Sequence, residues 1–212
     1  MVSVSSKGSV SLPSGPVCLY ARGFPPIADA RARVLVLGSL PGQRSLQMRQ
    51  YYAQPYNVFW KIMGRLFDAG PELPYAKRAQ RLVESGVALW DVCAAAHRPG
   101  SLDSSISHAS VVTNGFARFL RSHARIRLIC FNGSKAAELY RRSVLPDLPE
   151  ALRAIPTRPL PSTSPAHASM PFEEKLSRWS VVREHARARP RPNTRAVKRS
   201  STSASARANS SR

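Results

Sequence analysis

Acidic residues are scarce in this chain. Twelve Asp and Glu stand against 32 Lys and Arg in 212 residues, a formal charge of +20. Every acid falls between Asp29 and Glu184, a span in which arginines still outnumber acids. A surface of this kind favours a polyanion such as nucleic acid, because neutralised phosphates release counterions and the field steers the encounter. An arginine-rich genome would supply part of the same composition without such a partner. Cysteine is scarcer still. Cys18, Cys93 and Cys130 are too few and too scattered for an iron–sulfur cluster and show no CxxC spacing, so they read as small buried hydrophobes in a reducing cytoplasm. Met1 to Pro16 carries one lysine and no continuous apolar run, which supports neither a signal peptide nor a membrane span.

What is present suffices for one domain with tails. Residues 1–17 are Ser/Gly-rich and expected to be disordered; residues 185–212 are Arg, Ala, Pro, Ser and Asn with no acid and no apolar period, the pattern of a disordered basic tail that adds nonspecific DNA affinity. Between them, 18–184 reads as the folded domain, entered by an extended lead-in with Phe24 and Ile27 docking on it. Short buried strands are expected at Val34–Leu37, Val87–Trp90, Ile126–Phe131 and around Ala154–Thr157. Helices are expected from Phe59, over Tyr75–Glu84, around Phe116–Leu120 with Thr113 or Asn114 as cap, from Lys135 to about Arg142, and over Phe172–Val182. Strands alternating with helices predict a three-layer α/β/α sandwich around a parallel sheet of about four strands.

The stretch that organises this pattern is VLVLGSLPGQRSLQMRQYYAQPYNVFWKIMGRL, from Val34 to Leu66. A buried strand runs into Gly38-Ser39-Leu40-Pro41-Gly42, whose glycines let a ligand approach the backbone. Tyrosines and Asn57 follow before the next helix. The crevice at a strand's C-terminal end is where open α/β sheets bind ligands, so the site is placed there.

Five blocks in order, VLVLGSLPG, QYYAQPYNVFW, ALWDVCAAAHRPGSLDSSI, ICFNGSKA and LPSTSPAH, resemble the uracil-DNA glycosylase superfamily, and within it the hypoxanthine-DNA glycosylase branch, over roughly Gly23 to Val182. The resemblance implies an α/β/α domain that cuts the N-glycosidic bond of a deaminated base without metal or cofactor. It also implies a double-stranded DNA substrate, and a monomer is expected. The mismatch-specific uracil/thymine branch has a water-positioning Asn inside GINPG. Leu40 stands there in this chain, and the resemblance moves that role to Asn57 of the P-x-N-x-F-W block.

Further roles follow from the same resemblance. A base inside a duplex must be extruded to be reached, and Tyr52 is the stacking candidate; a core aromatic is the plainer alternative. Asn57 would hold the attacking water, or simply cap the helix. Asn132 could read the O6 and N1–H edge of hypoxanthine or the similar edge of uracil, unless Asn132-Gly133 is only a turn. Gly38, Ser39 and Leu40 would line the base pocket through backbone groups and stabilise charge on the leaving base. Ser162, Thr163, Ser164, Pro165, Ala166 and His167 resemble the loop that grips phosphates and enters the minor groove. Asp91 is a reserve base, or a brace for its loop. His97, Arg98 and Ser101 either touch the DNA backbone or form a solvated loop. Lys61 and Lys135 belong to no motif that would make them Schiff-base nucleophiles, so no lyase step is expected. The rival readings are a catalytically inactive DNA-binding protein of this fold, a G/U(T) mismatch-specific uracil-DNA glycosylase, and an enzyme acting on nucleosides in the same crevice.

Overall fold

In the computed structural model, residues 20–100 and 102–187 are described. The expected disordered segment 1–17, Cys18, Ser101 and all but the first three residues of the 185–212 tail lie outside them.

A four-stranded parallel sheet runs through the middle. Strands β2 (Val34–Gly38), β3 (Val87–Asp91), β6 (Leu128–Asn132) and β7 (Thr157–Leu160) lie in the order β3-β2-β6-β7. The first three are buried along their whole length, as expected where helices cover both faces. Alternate residues divide between two cores. Val34, Val36, Val87, Leu89, Leu128 and Cys130 face α2 (Phe59–Phe67), α3 (Tyr75–Glu84) and α7 (Phe172–Arg187). Leu35, Leu37, Ala88, Trp90, Ile129 and Phe131 face α4 (Phe116–Ser122) and α5 (Ser134–Ser143). This is the expected α/β/α layering. Phe24 and Ile27 dock as anticipated, with Ile27 bridged to Leu89 and the Trp90 indole N–H donating to the Phe24 carbonyl at 3.1 Å.

The sequence reading missed several elements. A second, antiparallel sheet joins β1 (Tyr20–Arg22), β4 (Cys93–His97) and β5 (Val112–Thr113) in the order β1-β4-β5, where a loop was expected after Asp91. A short helix α1 (Gln43–Met48) interrupts the stretch between Gly42 and the tyrosines. The fourth strand begins at Thr157, and the residues before it form the single-turn helix α6 (Glu150–Arg153) behind Pro149. Neither Thr113 nor Asn114 caps α4 with its side chain; the Asn114 amide donates to the Asp91 carbonyl at 2.8 Å. Helix α7 continues past Glu184 to Arg187, because Ala186 is buried and the carbonyls of Ala186 and His185 accept from Arg33 and Arg127. Among the described residues no helix is long and apolar enough to cross a membrane.

Candidate active site

The parity that sorts the cores also assembles a row at the C-terminal ends of the strands. Gly38 pairs with Asp91 in the β2–β3 register, and β6 runs beside β2 on its other side, ending at Asn132. Asp91, Gly38 and Asn132 therefore continue the alternate-residue lines that face α2 and α7.

Gly38 must be glycine for space. A Cβ there would lie 2.4 Å from Asp91 Oδ1 and 3.0 Å from the Tyr52 hydroxyl, so both oxygens converge over its Cα. Positive φ is not the reason, since among the described glycines only Gly86, Gly100 and Gly133 adopt it. Gly42, expected to need glycine's freedom, sits in ordinary extended backbone at φ −66° ahead of α1.

Tyr52 occupies the left-handed region at φ 54°, an unfavourable place for a bulky side chain and a sign that its surroundings dictate its position. Its ring stacks on Phe59 with centroids 4.0 Å apart and planes 26° from parallel. The residue as a whole is half-buried, while its hydroxyl is sealed from solvent with no hydrogen-bond partner. Burial, and then the nearby Asp91 charge, push the phenol well above its usual range, against a smaller pull from the Asn132 amide. The core-aromatic reading holds for the ring face that packs on Phe59, while the residue keeps some exposure.

Asn132 is held by Thr163. Its Nδ2 donates to Thr163 Oγ1 at 2.8 Å and its Oδ1 accepts from the Thr163 N–H at 2.9 Å. Beyond these bonds the amide keeps one N–H and one lone pair, with the Tyr52 hydroxyl close enough to interact with it. Thr163 itself is 1% exposed, so it corrects the expectation that it grips a phosphate; it anchors the loop. Ser162 and Ser164 make local turns, accepting from the Ser164 and Ala166 N–H groups at 3.2 and 3.3 Å. Pro165, Ala166 and His167 form an exposed turn at the rim.

Asn57 is tied to the same centre. Its Oδ1 accepts from the Phe59 N–H at 3.0 Å, and the next residue, Val58, donates its N–H to the Thr163 carbonyl at 3.1 Å. The N-cap of α2 is Val58 and has no side-chain cap bond. The capping role weighed from sequence is therefore replaced by a turn in which Asn57, one residue earlier, uses one lone pair of its amide oxygen. It also fixes the side chain beside the Tyr52–Phe59 stack.

The Gly38–Gly42 loop is clamped from behind. Arg98, expected either at the DNA backbone or in solvent, is 2% exposed. Its guanidinium donates to the carbonyls of Leu40 at 3.0 Å, Gly100 at 3.3 Å and Pro41. Ser39 Oγ donates to Asp103 Oδ1 at 2.7 Å, and Asp103 lies 3.9 Å from Arg98. The side chains of Ser39 and Leu40 are therefore spent on this clamp and on the α4–α5 core, which corrects any reading of them as pocket groups beyond their backbone. Sequence reasoning missed Asp103 and the true role of Arg98. Phe59 was read as core, without its part as the support for Tyr52; the aromatic spacing at Tyr52 and Phe59 was the available signal.

Asp91 remains buried at 3% exposed, its Oδ2 without a partner. Desolvation, reinforced by Asp103 and opposed by Arg98, raises its carboxyl to about 8. The brace expected of it is made by its backbone carbonyl toward Asn114, not by its carboxylate.

A model of the uracil DNA glycosylase superfamily matches residues 25–183, the span that contains every group above. The chain belongs to the uracil-DNA glycosylase superfamily. Among superfamily relatives, a Methanosarcina acetivorans protein named hypoxanthine DNA glycosylase is 35% identical over 170 residues, covering 79% of this chain and 100% of the relative. A Methanosarcina barkeri protein of the same name is 35% identical over 118 residues, 55% of this chain and 73% of its own length. The solution structure of a Methanosarcina acetivorans protein provisionally named a uracil DNA glycosylase superposes with a TM-score of 0.65 at 33% identity, covering 78% of this chain and 98% of that one. Leu40, which stands where the mismatch-specific branch has the Asn of GINPG, packs its side chain into the core.

Proposed function

We propose that this protein is a monofunctional DNA glycosylase that removes hypoxanthine from deoxyinosine in double-stranded DNA, leaving an abasic site. Superfamily membership and relatives named hypoxanthine DNA glycosylase support the reaction class. The geometric observation that carries the reading is the Tyr52 ring, backed by Phe59 at 4.0 Å and ending in a hydroxyl over Gly38. It is a flat surface at the sheet's C-terminal edge on which an extruded base can lie. Asn132 meets the base edge with its remaining donor and acceptor.

Asn57 holds a water against the anomeric carbon through the second lone pair of its oxygen. An amide cannot keep a proton near neutral pH, so the water attacks a sugar already far toward an oxocarbenium ion, stabilised by neighbouring phosphate charge. Pro165, Ala166 and His167 follow the phosphates, with Pro165-Ala166 as a small wedge. Tyr56, 78% exposed just before Asn57, is a further aromatic available to the DNA. The protein acts as a monomer in a reducing cytoplasm, and no cofactor enters the scheme.

A panel of labelled duplexes holding inosine, xanthosine, uracil or a thymine mismatch, treated with alkali after incubation, tests the proposal. Alkali-labile breaks at inosine are expected. Binding without breaks on any base would favour an inactive DNA-binding protein, and breaks only at G/U and G/T would favour the mismatch-specific activity.

A further inference from the structure

Two buried polar groups beside Gly38 lack a well-formed hydrogen bond: Asp91 Oδ2 and the Tyr52 hydroxyl, the latter lying near the Asn132 amide. Both side chains converge over Gly38, whose missing Cβ makes the room. Buried polar groups are nearly always satisfied, so a pair left open at a strand end calls for a ligand. Arg98 favours the anion of Asp91, but burial and Asp103 outweigh it. The three hydrogen bonds of Arg98 go to main-chain carbonyls, and Asp103 brings a second acid. A carboxyl in such a setting keeps its proton and offers one O–H donor.

We propose that Asp91 is a catalytic residue that hands its proton to the departing base. The inference rests on the glycosylase reading. In the step, the C1′–N9 bond breaks and its electron pair stays with the purine. The Asp91 proton passes to an acceptor of the base, so hypoxanthine leaves neutral. The water held by Asn57 forms the new C1′–O bond and loses a proton, which returns to the Asp91 carboxylate. One water is consumed and the enzyme is restored. This supplies the proton acceptor that an amide at position 57 cannot be.

The other titratable groups near Asp91 are Tyr51, Tyr52 and Tyr75, all raised by burial, Cys93, pushed up to about 12, Asp103, raised by burial, and Arg98, lowered by burial. A loss of rate in the alkaline range that Asp91→Asn lacks therefore reports Asp91, whose carboxyl is raised to about 8, rather than Asp103 or the N1–H of inosine itself.

The test is single-turnover excision from an inosine duplex at saturating enzyme, from about pH 6 to about pH 9.5. Wild type is expected to hold its rate at lower pH and lose about tenfold per unit above the Asp91 value. Asp91→Asn, which keeps an N–H donor but has no proton to give, is expected to be about a hundredfold slower and flat with pH. Its affinity for a duplex with a non-cleavable 2′-fluorinated inosine should match wild type, and its thermal unfolding reports folding independently. A wild-type profile without the alkaline loss overturns the proposal whether or not the variant folds. So does an Asp91→Asn enzyme of wild-type rate, or one that loses rate and binding in equal measure. Wild type that leaves inosine intact sinks the glycosylase reading and this inference together; excision by wild type with an unchanged variant sinks only this one.

Discussion

Asn132 and Thr163 are joined by two hydrogen bonds across one amide, 2.8 Å from Nδ2 to Oγ1 and 2.9 Å from the Thr163 N–H to Oδ1. The end of β6 and the start of the 162–167 loop are thereby one piece. Thr163→Val keeps the volume and removes the oxygen, leaving a buried donor with one partner fewer. A stability loss of about 1–3 kcal/mol is expected in urea unfolding, with weaker binding to inosine duplex because the exposed Pro165–His167 turn loses its anchor. Unchanged affinity would separate the loop from DNA contact.

The observed hydrogen bond of Asn57 and its proposed part in excision can be separated by substitution. Its oxygen accepts from the Phe59 N–H in a turn just before α2, a task serine also performs. Asn57→Ala should lose about 1 kcal/mol of stability together with excision. Asn57→Ser should keep the stability and still lose excision about a hundredfold or more in single turnover.

Gly38→Ala is allowed by the backbone, since Gly38 is not among the described glycines at positive φ. The new methyl would meet Asp91 Oδ1 at 2.4 Å and the Tyr52 hydroxyl at 3.0 Å. Displacement of both is expected to slow excision by about a hundredfold with little change in duplex affinity, measured as a rate under saturating enzyme.

How legible the molecule was in its sequence follows from where each interaction is decided. β2, α3 and β3 could be read because their patterns are local: unbroken apolar runs, helical spacing and Gly86 at φ +76° behind α3. Strand β4, CAAAH, has little β propensity of its own and is made a strand by pairing with Tyr20–Arg22, more than seventy residues away. Arg98 reads as a solvated loop residue until the carbonyls of Leu40 and Pro41 are brought to it. The candidate site was legible in its residue types, because Asn57 precedes a helix start, Asn132 ends a strand, and Tyr52 lies in the stretch between β2 and α2. Their partners, Phe59 and Thr163, were not, since those contacts exist only after folding.

The Arg98 clamp gives a stability prediction. Arg98→Met leaves the carbonyls of Leu40 and Pro41 and the nearby Asp103 without their cation. A loss of about 3 kcal/mol is expected in denaturant unfolding, and excision should fall because the Gly38–Gly42 loop is no longer fixed. A change under about 0.5 kcal/mol would mean that the guanidinium carries none of the loop's stability.

Stability should also depend on pH through Asp91. Its folded value of about 8 lies above the ordinary 3.8, so the native state holds a proton that the unfolded chain gives up. The contribution is full below about pH 4 and fades as pH rises toward about 8. Asp91→Asn lacks that fade, and its melting temperature relative to wild type should climb across this window.

The central claim is that Asn57 activates water toward a sugar whose base lies on Tyr52. Single-turnover release of hypoxanthine from an inosine duplex, measured side by side for wild type and Asn57→Ser at matched stability, tests it most directly. The expected result is free hypoxanthine and an abasic site in equal amount from wild type, and almost none from the variant. Equal release by the two proteins would contradict the account.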